Sequence, residues 1–161
     1  MSDIDWDAKL TAAAYAGDIP ALLEAIAHGA SYSGAEESVM HRALQRWNVP
    51  LLRFLLTSSE LPSRPSIHTG YDAAFRQACE AGDVEFARWL AAAPELGEHA
   101  DVHACCDEAF ELACRGGHDA VVRWLAAEHG MLASEHVRYL IANDGEIRSY
   151  LEGLGITAGR G

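Results

Sequence analysis

Two segments of the chain have the same residue at many equivalent positions, at a constant spacing of 35 residues. They are AAFRQACEAGDVEFARWLAAAPELG, residues 73–97, and EAFELACRGGHDAVVRWLAAEHGM, residues 108–131. The equivalent positions with the same residue type include Phe75 and Phe110, Ala78 and Ala113, Cys79 and Cys114, Gly82 and Gly117, and Trp89–Leu90 and Trp124–Leu125. Independent helices do not keep one offset over such a length, so the chain contains a duplicated structural unit.

Further copies of this unit lie on both sides of the matched pair. Two precede it, KLTAAAYAGDIPALLEAIAHGA at 9–30 and VMHRALQRWNVPLLRFLLTS at 39–58, and a weaker one, HVRYLIANDGEIRSYLEGLG, follows at 136–155. The offsets between copies vary because the linkers differ in length. The sequence therefore predicts four to five units, at about 7–30, 37–60, 72–96, 107–131 and 134–155.

Each unit has the pattern of two short helices joined by a turn. Apolar residues recur at intervals of three and four, as on one face of an amphipathic helix. Glycine after the first helix favours a left-handed cap, and Asp18, Asn48 and Asp83 follow as candidate caps of the second helix. One pair cannot bury both of its faces, so neighbouring pairs must stack. We therefore expect an all-α fold, a short α-solenoid of stacked helix-turn-helix repeats that forms a single domain over residues 1–161.

This frame resembles the ankyrin repeat, whose unit is about 33 residues long. The best matches are Gly82-Asp83-Val84 through Leu90 and Gly117-His118-Asp119 through Leu125, and His28-Gly29-Ala30 resembles the turn after the second helix. The family's Thr-Pro-Leu-His start is absent, and Trp47 stands where the pattern has glycine. The repeats are therefore divergent, and a helix-turn-helix stack of another type stays open.

The resemblance implies a protein that grips a partner protein with its concave face and loop tips. Residues just before each turn of the first helices would face that groove, and four of the eight are arginine. Trp47, between two polar residues at a turn, is a further candidate anchor, because tryptophan and arginine are enriched at binding hot spots. The predicted partner-binding residues are Tyr15, Arg42, Gln45, Arg46, Trp47, Gln77, Glu80, Arg115 and Arg138.

The charge of the chain argues against two classes of partner. It has 12 basic and 24 acidic residues, a formal net charge of −12. Proteins that bind nucleic acid or anionic membranes carry basic patches, so neither partner is expected. No apolar run approaches the ~20 residues that cross a bilayer. The acidic amino-terminal segment MSDIDWDAKL lacks the layout of a secretory signal, so we expect a protein of the reducing cytoplasm that is monomeric on its own.

The segment from residue 98 to residue 106 is the one candidate for metal chemistry. His99 and His103 are four residues apart, which would place them on one face of a helix, and Cys105 or Cys106 could complete a zinc site. The segment has no CxxC or HExxH pattern and lies in a linker. Cys79 and Cys114 occupy equivalent positions in two units, which indicates packing rather than nucleophilic chemistry.

These observations predict a non-catalytic protein–protein interaction module without a cofactor. No glycine loop suited to phosphate and no carboxylate pair spaced for acid–base chemistry is visible. Two alternatives stay open. One is an inhibitor or immunity-type protein that occludes a toxin or enzyme, above all a basic nuclease. The other is a zinc-binding protein that uses residues 98–106.

Overall fold

The computed structural model describes residues 4–156, and every regular element within that range is helical. Ten α-helices follow one another in five helix-turn-helix pairs, with short 3₁₀ turns at Pro94–Leu96 and Met131–Ala133. The helices are α1 (Trp6–Ala16), α2 (Ile19–Ala27), α3 (Glu36–Gln45), α4 (Val49–Thr57), α5 (Thr69–Ala81), α6 (Val84–Ala92), α7 (Ala104–Gly116), α8 (Asp119–Glu128), α9 (Glu135–Asn143) and α10 (Gly145–Gly153). The prediction of an all-α protein built from helix-turn-helix pairs is confirmed.

The turn inside each of the first four pairs has the same backbone geometry. Its central residue is left-handed, with φ of 75° at Gly17 and Gly82, 68° at Gly117 and 48° at Trp47. The amide of the next residue then donates to the carbonyl of an alanine five positions back, over 2.9–3.0 Å in all four turns. These bonds satisfy carbonyls at the end of the first helix. The first four sequence repeats therefore share the same backbone structure at their turns.

The polar residue after each turn caps the second helix in three of these four pairs. The side chains of Asp18, Asn48 and Asp83 accept hydrogen bonds from the amide three residues on, at 3.0, 2.9 and 2.9 Å. His118 takes the same position but makes no such cap. Its Nε2 instead donates to the carbonyl oxygen of Glu80 in the preceding pair, at 2.7 Å.

The fifth pair departs from the pattern. Asn143, which aligns with the turn glycines, is the last residue of α9 and is helical. Asp144 ends that helix in an extended conformation (φ −107°) and caps α10 through hydrogen bonds from the amides of Glu146 and Ile147. The sequence frame therefore carries over to this copy, but the left-handed turn does not.

Contacts divide the chain into two compact units at the boundary between Thr69 and Gly70. Unit 1 holds the first two helix pairs and unit 2 the last three, so the single domain stays a prediction.

No helix within residues 4–156 is long and apolar enough to cross a membrane. The largest fully buried side chains of unit 1 are Leu22, Tyr32, Met40, Leu51, Leu52 and Leu55, and those of unit 2 are Phe75, Phe86, Leu90, Phe110, Leu125 and Met131.

Aromatic side chains join successive pairs within unit 2. Trp124 of α8 is only 4% exposed, and its ring meets that of Phe75 of α5 edge-on, with centroids 6.1 Å apart. The Arg88 guanidinium of α6 lies 5.6 Å from the Trp124 ring centroid. Phe75 is fully buried. This tryptophan therefore packs one helix pair on another, as its repeated position indicates.

Helices α5 and α7 both have three consecutive left-handed residues directly after their first residue. These are Gly70–Asp72 and Cys105–Asp107, with φ between 52° and 65°, at equivalent positions 35 residues apart. The last residue of each turn is a buried aspartate, 5% exposed. Asp72 accepts a hydrogen bond from the Asp101 amide at 3.0 Å, and Asp107 accepts one from the Ser134 hydroxyl. Each aspartate thus ties the start of its helix to the linker that follows its own helix pair.

Alkaline conditions are expected to destabilise the protein through Cys79 and Cys114. Burial raises the pKa of both thiols from an ordinary value of 9.0 to about 12. Above pH 9 the unfolded chain has released these protons while the folded chain still holds them, so stability falls as pH rises. Urea unfolding at about pH 10 should show a free energy of unfolding lower by about 3 kcal/mol than at about pH 7.

The matched control for this prediction is Cys79→Ala/Cys114→Ala. The variant starts from a lower stability, because it loses buried volume, but its stability should change less between the two pH values. An equal fall in the variant and the wild type would show that the thiols do not cause the effect. Tyr32, whose pKa burial also raises to about 12, begins to contribute near its ordinary value of 10.0, and it does so in the variant and the wild type alike.

Candidate functional site

In unit 1, two predicted binding residues from different helices lie against each other. Tyr15, near the end of α1, is 47% exposed. The guanidinium carbon of Arg46, the residue that ends α3, lies 4.3 Å from the centroid of the Tyr15 ring. This is a cation–π contact on an exposed surface, worth about 0.5–1 kcal/mol. The residues that precede the turns of the first two pairs therefore meet at this point of unit 1.

Three more predicted residues lie at the end of α3. Arg42 is one helical turn before Arg46, and the Gln45 side-chain amide donates to Nε2 of His41 at 3.1 Å. Trp47 follows directly as the turn residue. Tyr15, Arg42, Gln45, Arg46 and Trp47 are called the arginine cluster below.

The arginines of this cluster are unpaired with acidic side chains in the described part of the chain. Within residues 4–156, no carboxylate lies at ion-pair distance from the guanidinium of Arg42 or Arg46. Several carboxylates of unit 1 are instead engaged by backbone amides. Asp7, for example, accepts from the Ser31 amide at 2.6 Å, and Glu36 accepts from the Gly34 amide at 2.6 Å. The carboxylates of residues 4–156 therefore do not neutralise the positive charge of the cluster.

Trp47 adopts a backbone conformation that costs energy for its residue type. Its φ of 48° is left-handed, and the three equivalent turn positions with this conformation are all glycine. A residue with a Cβ pays roughly 1–2 kcal/mol there. Its side chain is partly exposed. Strain of this kind persists where the surrounding structure enforces it, and it clusters at functional sites.

In unit 2, Arg115 is paired with two carboxylates. Its guanidinium lies 2.9 Å from Glu111 on the preceding turn of α7 and 3.0 Å from Asp144, the cap of α10. The hydrogen bond and charge of Glu111, followed by Asp144, raise the pKa of Arg115. The Ile147 and Glu146 amides, together with Arg115, lower the pKa of Asp144. Arg115 thus links two helix pairs of unit 2.

The other predicted residues of unit 2 do not form a cluster like that of unit 1. Glu80 has an exposed side chain, while its carbonyl oxygen accepts the hydrogen bond from His118. Gln77 is partly buried in α5, and Arg138 is exposed on α9. Missing from the prediction were Glu111 and Asp144, the partners of Arg115. The spacing of Glu111, four residues before Arg115 on one helix, was visible in the sequence.

The segment from residue 98 to residue 106 is not helical up to His103. His99 is exposed in a stretch without regular structure, and α7 begins only at Ala104. The expected shared helical face of His99 and His103 is therefore wrong. His103 instead donates from Nδ1 to the carboxylate of Asp107 over 2.5 Å, while Cys105 and Cys106 are exposed.

No group of three or more histidine, cysteine, aspartate or glutamate side chains within residues 4–156 is arranged to hold a metal ion. His99, His103, Cys105 and Cys106 therefore do not come together as a metal site in residues 4–156.

Comparison of the chain with family models, with curated proteins and with solved structures finds no match. The repeat pattern and the geometry of the two units are therefore the basis for any functional assignment.

Proposed function

We propose that the protein is a non-catalytic protein-binding module of divergent ankyrin-like helix pairs, and that the arginine cluster of unit 1 is its main contact with the partner. The observation that carries this proposal is the Arg46 guanidinium, which lies over the ring of an exposed tyrosine and is unpaired with any carboxylate of the described chain. The partner then offers an acidic or mixed-charge patch. The four free thiols are consistent with the reducing cytoplasm as the site of action.

The contact between Arg46 and the Tyr15 ring favours binding of a carboxylate by Arg46. The guanidinium carbon of Arg46 lies 4.3 Å from the centroid of the Tyr15 ring, and a guanidinium offers five N–H donors in a planar fork. A carboxylate can take two of these donors in a bidentate pair, which is among the stronger hydrogen-bonded contacts. Because the stacked side chain has already lost part of its rotamer freedom, less entropy is lost on binding.

Arg115 is a weaker candidate than Arg46 for the same role. A partner carboxylate that binds Arg115 competes with Glu111 and Asp144, which already hold the guanidinium. The charge distribution also favours unit 1. Residues 1–69 have five basic and eight acidic side chains, whereas residues 70–161 have seven and sixteen. An acidic partner is repelled less by the unit that contains the cluster.

The ankyrin-like architecture is supported by the recurring turn. Four successive pairs place a left-handed residue after the first helix and close the turn with the same amide-to-alanine hydrogen bond. In unit 2, His118 and Trp124 connect neighbouring pairs through the turn and the second helix. Contacts of this kind hold neighbouring pairs of a unit together, and a few anchor residues can dominate binding.

Charge reversal tests the proposal directly. Arg46→Glu should abolish capture of the partner from an extract of the native source, because it replaces a carboxylate-binding group by a repelling one. Arg123→Glu, at an exposed position of α8 outside the predicted residues, is the matched control and should retain capture. Both variants must keep the helical circular-dichroism signal of the wild type.

The same experiment distinguishes the inhibitor hypothesis from binding through the arginine cluster. An inhibitor of a basic nuclease binds through its acidic surface, so Arg46→Glu would leave capture unchanged or strengthen it. Loss of the partner from Arg123→Glu but not from Arg46→Glu would contradict the proposed site.

Trp47→Gly separates binding from packing. Relief of the left-handed backbone strain, about 1–2 kcal/mol, offsets the lost packing of a partly exposed side chain, so the free energy of unfolding should stay within about 1 kcal/mol of the wild type. Capture of the partner should fall. A loss of about 3 kcal/mol or more in urea unfolding would instead show that Trp47 is a packing residue.

A further inference from the structure

The two left-handed turns that begin α5 and α7 are made from very different residues. The first two residues are Gly70 and Tyr71 in α5 and Cys105 and Cys106 in α7, and both turns end in a buried aspartate. Glycine adopts a left-handed conformation without strain, whereas cysteine does not. The fold therefore builds this turn without cysteine in one repeat, and the thiol pair of the other repeat is not a requirement of the turn.

The two thiols at this turn differ from the other two in the chain. Cys105 and Cys106 are adjacent and both exposed, whereas Cys79 and Cys114 are buried in the helix pairs of unit 2. None of the four is in a disulfide. The surface of unit 2 thus carries two neighbouring thiols that a reagent in solvent reaches without unfolding.

We propose that Cys105 and Cys106 form a two-thiol binding site for trivalent, thiophilic ligands of the arsenic(III) class. With an organic arsenoxide, two As–S bonds form and the As–O bonds break. The two thiol protons leave with the oxygen as water, and no atom changes its oxidation state. Such a ligand needs only two sulfur donors. Zinc needs four ligands, and no group of three candidate ligands occurs within residues 4–156.

Adjacency gives the pair its affinity. Once one sulfur has bound arsenic, the second is held on the next residue, so its bond forms at a high effective concentration. This intramolecular step raises the affinity over that of a single thiol by about 100-fold or more. The site lies beside Asp107, whose carboxylate holds Ser134 and His103, and the ligand therefore attaches to an ordered part of unit 2.

The test is a titration of the full chain with phenylarsine oxide in excess monothiol, followed by native mass spectrometry. We expect one arsenical per chain, and two of the four thiols should no longer react with a thiol-reactive dye. Cys105→Ser and Cys106→Ser should each bind about 100-fold more weakly, because one thiol alone competes poorly with the added monothiol. Equal affinity in either serine variant, no adduct on the wild type, or consumption of Cys79 and Cys114 would overturn the proposal.

The preceding repeat supplies the matched control. Cys105→Gly/Cys106→Tyr copies the residues of the equivalent turn, so it should keep the helical fold and bind no arsenical. Retained binding in this variant would place the site elsewhere and contradict the proposal. If the exchange reduces the helical signal, the two single serine variants, which change only one exposed atom each, decide the question.

Discussion

Gly82→Ala is expected to lower the free energy of unfolding by about 2–4 kcal/mol. Two costs add at this position. The left-handed backbone, with φ of 75°, costs alanine roughly 1–2 kcal/mol. A Cβ built there also lies 2.5–2.9 Å from ring atoms of His118 in the next pair, which is too close for a real contact. His118 must move, and its hydrogen bond to the carbonyl of Glu80 is disturbed.

Gly117→Ala is the matched control for this substitution. Its φ of 68° imposes the same backbone cost, but a Cβ there has no neighbour within 4 Å. We expect a loss of about 1–2 kcal/mol in urea unfolding, clearly less than for Gly82→Ala. In a double-mutant cycle, His118→Ala should recover part of the loss caused by Gly82→Ala. Equal losses for the two glycines would contradict the contact between successive turns.

Phe75→Ala is expected to cost about 3–5 kcal/mol, the range for removing a fully buried phenylalanine. The ring has no exposed surface and meets the Trp124 ring of the next pair edge-on. Its loss leaves a cavity between helix pairs, which the surrounding helices fill only in part. Unit 2 should unfold at a much lower urea concentration, with little change in helical content before the transition.

Tyr71→Ala provides the comparison on the same helix. Tyr71 is an aromatic residue of α5 that is 78% exposed, so its truncation should change the free energy of unfolding by no more than about 0.5 kcal/mol. A cycle of Phe75→Ala with Trp124→Ala should give a coupling of about 0.5–1.5 kcal/mol. Additive losses would show that the two rings stabilise the protein independently.

The helix pairs and their turns could be predicted because their signals are local. Each turn is determined by glycine or a residue in its place, followed by a polar cap, and the repetition of these signals identified the units. Even Trp47, which breaks the glycine pattern, takes the left-handed conformation of its position. The frame failed at Asn143, where Asp144 ends one helix and caps the next without a left-handed residue.

The rest of the candidate site depends on contacts between residues far apart in the sequence. The pairing of Arg115 with Asp144 spans 29 residues and depends on how α10 packs against α7. The left-handed turn at Cys105 and Cys106 contains no glycine, so the sequence gives no signal that predicts it. The spacing of His99 and His103 is that of one helical face, but the helix begins only at Ala104, after both residues. The repeat frame placed Tyr15 and Arg46 near the ends of the first helices of their pairs, but their contact, and the lack of a carboxylate beside Arg46 within residues 4–156, could not be predicted from it.

Hydrogen–deuterium exchange of the full chain, with and without the captured partner, tests the proposed binding surface most directly. If the arginine cluster is the contact, peptides around Tyr15 and from 41 to 47 gain protection, while peptides from 104 to 116 exchange as in the free protein. The Arg46→Glu variant should show no such protection at the same partner concentration. Protection confined to unit 2, with unchanged exchange around Tyr15 and Arg46, would contradict the account.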